Sequence, residues 1–173
     1  MSTEVCSGPE LWNIVYDDLL QQEIPNNCEI IGFCDNTLAL ISGNDTKIIE
    51  EKANILLKVC QEWDIRVKLE FNPIKSTSVL ISNKRNYYLP QIYLNSTQIK
   101  IEDNIKYLGL TIDKKLNFNK HINNIYNKCV SKIIKLPFFA RNVWGLKSDS
   151  IKSIYTAVIE PLVLYCSSIW AQK

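Results

Sequence analysis

The sequence predicts an α+β fold: an antiparallel sheet with packed helices over residues 1–115, then an all-α region over residues 116–173. Three observations predict it. Short apolar runs bounded by turn residues alternate with helical stretches up to about residue 115, and only helical periodicity follows. At 173 residues with 46% hydrophobic content, the chain can bury a core without disulfide or metal staples. The charge also changes sign near the same boundary. Residues 1–104 hold 9 Lys/Arg against 15 Asp/Glu, a net −6, whereas residues 105–173 hold 11 against 3, a net +8.

The first helix starts at Ser7-Gly8-Pro9, because proline suits the first helical position, where its missing N–H is not needed. Leu11, Trp12, Val15 and Leu19 then fall on one face, and the helix runs to about Gln21. Pro25-Asn26-Asn27 is a turn. Two apolar runs, Cys28 to Cys34 and Thr37 to Ser42, flank Asp35-Asn36 and predict a tight hairpin with those two residues at its apex. Both runs are almost wholly apolar, which predicts burial in a larger sheet. Asn44 or Asp45 caps a second helix whose apolar face is Ile49, Ala53, Leu56, Cys60 and Trp63. Arg66 to Phe71 alternates as a half-buried strand does, and Asn72-Pro73-Ile74-Lys75 is a turn. Further strands are expected at Ser78–Ile81, Ile92–Leu94, Ile99–Ile101 and Ile105–Ile112. Phe118, Ile122, Ile125, Cys129, Ile133 and Leu136 then share a helical face, with Lys128, Lys132 and Lys135 in a separate stripe and Pro137 as a stop. Two more helices are expected, from Ser148 to Ile159 and from Pro161 to the end.

Composition excludes several classes. With 22% charged residues, five Gly and six Pro, the chain is neither disordered nor collagen-like. The six cysteines (6, 28, 34, 60, 129 and 166) form no C-x-x-C pair, and His121 has no cysteine nearby, which argues against a zinc or redox centre. The polar N-terminal stretch has no apolar signal core, so the expected location is intracellular, cytoplasmic or nuclear, with the cysteines reduced and buried. The apolar stretch from Ile154 to Ala171 is interrupted by Glu160 and Pro161, and no membrane partner is expected. The basic second half reads either as a surface for a polyanion or as a solvated lysine face.

Four motifs in order then resemble a known family. Ile30-Ile31-Gly32-Phe33-Cys34-Asp35-Asn36 resembles the F/Y-x-D-D hairpin of reverse transcriptases, most closely those of non-LTR (LINE-like) retrotransposons. Ser7-Gly8-Pro9 resembles the end of the family's nucleotide-pocket segment, Asn72-Pro73-Ile74-Lys75 its N-P-x-K motif, and Tyr107-Leu108-Gly109 its primer grip. Leu164-Tyr165 and Trp170-Ala171 resemble the ending of the region after the thumb. The resemblance implies a partial polymerase palm over 1–115 and a thumb-like region over 116–173.

It also implies roles. Asp35 would be catalytic and a Mg2+ ligand, and Lys75 would be catalytic, protonating the leaving group or binding triphosphate. Ser7, Gly8, Pro9 and Phe33 would line the nucleotide pocket, and Tyr107, Leu108 and Gly109 would grip the primer. Lys128, Lys132 and Lys135 would contact nucleic-acid phosphates, and Tyr107 and Trp144 would be able to stack on bases. The implied partners are an RNA template, a DNA primer and the remainder of a polyprotein.

Two departures matter. The second acid of the hairpin is the neutral Asn36, and this sequence carries no upstream segment with the family's first metal-binding aspartate. Asp17 and Asp18 lie on the first helix and are expected to face solvent. The expectation is therefore a truncated reverse transcriptase that is inactive alone and does not bind the family's Mg2+ productively. The alternative is a non-catalytic nucleic-acid-binding or interaction module derived from such an element.

Overall fold

A computed structural model describes residues 8–84, 87–134 and 148–171. Two compact units emerge, one within Met1–Ser78 and Lys84–Ile101, the other within Val79–Asn83 and Glu102–Lys173. The secondary structure is mixed helix and strand, as an α+β reading requires.

The first unit opens with α1 (Gly8–Leu20), followed by β1 (Cys28–Phe33), β2 (Asn36–Ile41) and α2 (Thr46–Val67). Short strands follow: β3 (Thr77–Ser78), β4 (Tyr93–Leu94), β5 (Thr97–Gln98) and β6 (Lys100–Ile101). β1 and β2 pair antiparallel in a register that runs from Cys28 opposite Ile41 to Phe33 opposite Asn36. One core holds Tyr16, Leu19, Leu56, Cys60 and Trp63, with Phe71 and the inner hairpin residues Ile30 and Ala39 against it. A second holds Ala53, Ile92, Leu94 and Ile99. The α2 face was legible because 3.6-residue periodicity is unbroken there and Asp45 accepts the Thr46 N–H at 2.6 Å. Burial, and secondarily the charge of Asp64, pushes the Cys60 thiol up to about 11, so Cys60 acts as a core atom and not a nucleophile.

Several expectations change. On α1 the buried residues are Tyr16 and Leu19, with Trp12 half-buried, while Leu11 and Val15 face outward. The spacing 12, 16, 19 fits the helical repeat as well as 11, 15, 19 does, and the aromatics win because they bury more area. The expected strand over 66–71 is absent. α2 runs on to Val67 and ends at Lys68 in the left-handed region (φ 58), whose N–H bonds the Asp64 carbonyl. Six residues of alternation are too few to outvote a helix that meets no breaker. Of Ser78–Ile81, only Ser78 pairs, in a parallel bridge with Ile101. The β1–β2 hairpin is not buried in a larger sheet: every sheet among the described residues is two-stranded, and Phe33 is 55% exposed. Cys34 is likewise exposed, whereas Cys60 and Cys129 are buried.

The second unit starts with a hairpin, β7 (Asn104–Tyr107) and β8 (Leu110–Asp113), where one strand over 105–112 was expected. The run breaks because Leu108 (φ 45) and Gly109 (φ 87) are both left-handed, the backbone signs of a tight two-residue hairpin loop. α3 (Asn119–Ile133) follows, then α4 (Ser148–Ile154), a wider π-type turn over Tyr155–Ile159, α5 (Glu160–Leu164) and α6 (Ser167–Trp170). The last helix therefore does not run unbroken from Pro161. It stops at Tyr165 (ψ 122) and restarts after Cys166 (φ 55). The buried α3 residues are His121 and Cys129; Ile122 and Ile133 of the expected face are exposed. Leu136 and Pro137 lie outside the described residues.

Candidate functional site

The apex of the first hairpin is displaced by one residue from the expected position. Phe33 pairs with Asn36, so the loop is Cys34-Asp35, with Cys34 left-handed (φ 53). α1 grips this loop. The Trp12 indole Nε1 donates to the Cys34 carbonyl at 2.7 Å, and Tyr16 and Thr37 share a hydroxyl–hydroxyl hydrogen bond. The Trp12 and Tyr16 rings stack at 5.7 Å, and Trp63 meets Tyr16 edge-on at 6.2 Å. Gly32 is required beneath this stack, because a Cβ there would land on the Tyr16 ring. Trp12, Tyr16 and Gly32 thus aim the loop, and sequence reading missed the latter two. The available signal was the i,i+4 aromatic pair on α1.

Asp35 is exposed at this apex, and Asn36 Nδ2 donates to its Oδ1 at 3.1 Å. Phe33 points to the outer, exposed face of β1. Gly8 and Pro9 occupy the exposed first turn of α1, one turn before Trp12. Ser7 lies outside the described residues. Asp17 is exposed and accepts from Gln21 Nε2 at 2.6 Å. Asp18 is not simply solvated: it accepts from Trp63 Nε1 at 3.0 Å and pairs with Arg66 at 2.6 Å, tying α1 to α2.

Lys75 ends a turn built by Asn72, whose Oδ1 accepts the N–H groups of Ile74 (2.9 Å) and Lys75 (3.2 Å). The lysine side chain is exposed, and no hydrogen bond or ion pair joins it to Asp35.

In the second unit, Tyr107 closes β7, and Leu108-Gly109 form the exposed loop of the hairpin. Lys128 and Lys132 stand one turn apart on α3, both exposed; Lys135 and Trp144 lie outside the described residues. Beside α3 a shallow cleft of about 250 Å³ is lined in part by Asp113, Lys114, Lys115 and Lys120. Lys114 pairs with Asp103 at 2.6 Å, and Lys120 donates to Asn104 Oδ1 at 2.7 Å. Burial pushes the Asp113 carboxyl up, but hydrogen bonds from the N–H groups of Lys115, Phe118 and Asn117 outweigh it and hold the group below its ordinary value.

Comparison with known proteins settles the ancestry. The chain is 27% identical over 165 residues to the Retrovirus-related Pol polyprotein from type-1 retrotransposable element R1 of Bradysia coprophila, an alignment covering 95% of this chain and 16% of that protein. It is 24% identical over 167 residues to the RNA-directed DNA polymerase from mobile element jockey of Drosophila melanogaster, covering 91% of this chain and 18% of that protein. This chain is homologous to the Pol polyproteins of R1-type and jockey-type non-LTR retrotransposons. A Nasonia vitripennis R1 Pol polyprotein matches 94% of the chain at 23% identity. No family model and no solved structure matches. The chain spans about a sixth of the length of the R1 and jockey relatives first named.

The Mg2+ that the resemblance implies prefers hard oxygen ligands, carboxylates above all. The donor set at the hairpin does not fit a two-magnesium centre. Asp35 is the one carboxylate of its loop, its neighbour Asn36 is neutral, and no group of three His, Cys, Asp or Glu among the described residues is placed to hold a metal ion. No helix among them is long and apolar enough to cross a membrane.

Proposed function

We propose that this chain is palm and thumb material of a non-LTR retrotransposon reverse transcriptase, with residues 1–115 palm-derived and 116–173 thumb-like. It holds an RNA template paired with a DNA primer but does not complete a polymerising metal centre from its own residues. The observation that carries this reading is the Cys34-Asp35 loop, fixed by Trp12 and Tyr16 and presenting a single carboxylate, in a chain homologous to Pol polyproteins.

In this reading Gly8, Pro9 and Phe33, with Ser7, belong to the nucleotide-facing side, and Lys75 is a cation for triphosphate. Tyr107, Leu108 and Gly109 meet the primer. Lys128 and Lys132, with Lys135, contact backbone phosphates, giving affinity without sequence preference. Lys115 and Lys120 beside the α3 cleft add positive charge on the same unit. The remainder of the polyprotein is the natural partner that would bring further carboxylates.

The test is equilibrium binding of an RNA–DNA duplex by the full chain across a salt series. Log affinity falls linearly with log salt, and Lys128→Ala and Lys132→Ala each reduce the steepness by about one. Binding that ignores salt, or no binding, contradicts the proposal.

A further inference from the structure

The β7–β8 loop is costly in itself. A type I′-like loop wants residues that tolerate positive φ, and Leu108 is bulky. Such a conformation persists only where its surroundings over-determine it. Those surroundings come from the far end of the sequence. The Tyr165 hydroxyl donates to the Leu108 carbonyl, 57 residues away. The Tyr165 ring also lies against Gly109, so that a Cβ there would sit 3.2 Å from Cε1.

Tyr165 is itself held. It sits at the break between α5 and α6, and the Trp170 Nε1 donates to its carbonyl at 2.9 Å. The Trp170 ring meets the His121 ring at 6.3 Å, tilted by 61°. His121 Nδ1 accepts the Thr111 N–H at 3.3 Å, and Thr111 lies on β8, three residues beyond Leu108. The circuit Leu108–Tyr165–Trp170–His121–Thr111 is closed on the hairpin where it began.

We propose that Tyr165 is a positioning residue: with Trp170 and His121 it forms a latch from the C-terminal segment that sets the Leu108-Gly109 loop for contact with the recessed primer end of an RNA–DNA duplex. This rests on the reading of that loop as primer-facing. A latch that served stability alone would weaken the fold without changing which duplex end is preferred.

The experiment measures fluorescence anisotropy of the full chain with two RNA–DNA duplexes of equal paired length, one with a recessed DNA 3′ end and one blunt. Wild type prefers the recessed duplex. Tyr165→Phe, which keeps the ring and removes the hydroxyl, lowers that preference about three- to tenfold, the range of one net hydrogen bond, and leaves the salt dependence unchanged. Amide exchange in the loop accelerates in the same variant. If Tyr165→Phe is found unfolded by circular dichroism, Trp170→Phe, which removes the donor to the Tyr165 carbonyl and shrinks the ring against His121, is expected to shift the preference in the same direction. Wild type that binds both duplexes alike overturns the proposal, as does a folded variant with undiminished preference. Wild type that binds neither duplex overturns the nucleic-acid reading itself.

Discussion

Of the three hairpins among the described residues that end in two-residue loops, two share a device: an aromatic side chain from a distant element grips a loop carbonyl. In the first, the Trp12 indole bonds the Cys34 carbonyl. In the second, the Tyr165 hydroxyl bonds the Leu108 carbonyl. What lies behind each grip differs. Behind Trp12 stands a run of ring contacts through Tyr16 and Trp63 to Phe71, with the Tyr16 hydroxyl bonded to Thr37 and Trp63 Nε1 to Asp18. Behind Tyr165 stands His121, almost wholly buried, with Nδ1 bonded and Nε2 without a hydrogen-bond partner. The first loop is therefore held by a stack of rings that contains no histidine, and the second by a histidine that a proton can disturb. The fixed loop carries the carboxylate; the adjustable one carries only apolar and backbone groups.

That contrast can be broken most severely at Trp63, which is 2% exposed. Trp63→Ala removes the base of the first stack and the Nε1 bond to Asp18, and costs about 3–5 kcal/mol in urea unfolding of the full chain. Gly32→Ala comes next. Its Cβ meets the Tyr16 ring, which cannot swing away because Trp12 and Trp63 flank it and Thr37 holds its hydroxyl. The expected loss is about 1–3 kcal/mol, and no loss would show that the stack is loose.

Gly109→Ala strains a φ of 87° and crowds Tyr165, and should cost about 1–2 kcal/mol by the same measurement. Acidification sharpens the comparison with the smallest effect. Burial, then the nearby Lys128 charge, lowers the His121 pKa below its ordinary 6.5. The unfolded chain takes up the proton first, so the stabilisation is complete above about pH 6.5 and is lost as pH falls toward the lower folded value. Urea melts at pH 7.5 and pH 5 should differ, and His121→Gln should reduce the difference. Asp113 acts in a separate, more acidic window: its lowered pKa gives stability that is lost only as pH falls below about 3.8.

The long regular elements were legible in the sequence and the junctions were not. α2 could be read because its periodicity is sustained and Asp45 caps it. The first hairpin could be read from two apolar runs around a polar tip, yet its apex lay one residue off. Register depends on which residue accepts positive φ, and Cys34 carries no turn signature. The β7–β8 loop was hidden inside Ile105–Ile112 because Leu108 looks like a strand residue, and what holds it, Tyr165, is 57 residues away. His121 was read only as a residue without a cysteine partner, because a lone histidine between Lys120 and Ile122 carries no sign of what it packs against. Long-range contacts of this kind are invisible to a reading by local periodicity.

One rigidly held carboxylate, Asp35, does not make a two-metal centre. Primer extension on an RNA template with Mg2+, using the purified chain, tests it most directly. No template-dependent DNA synthesis is expected from the wild type or from Asn36→Asp. Synthesis by the wild type that disappears in Asp35→Ala would contradict the claim.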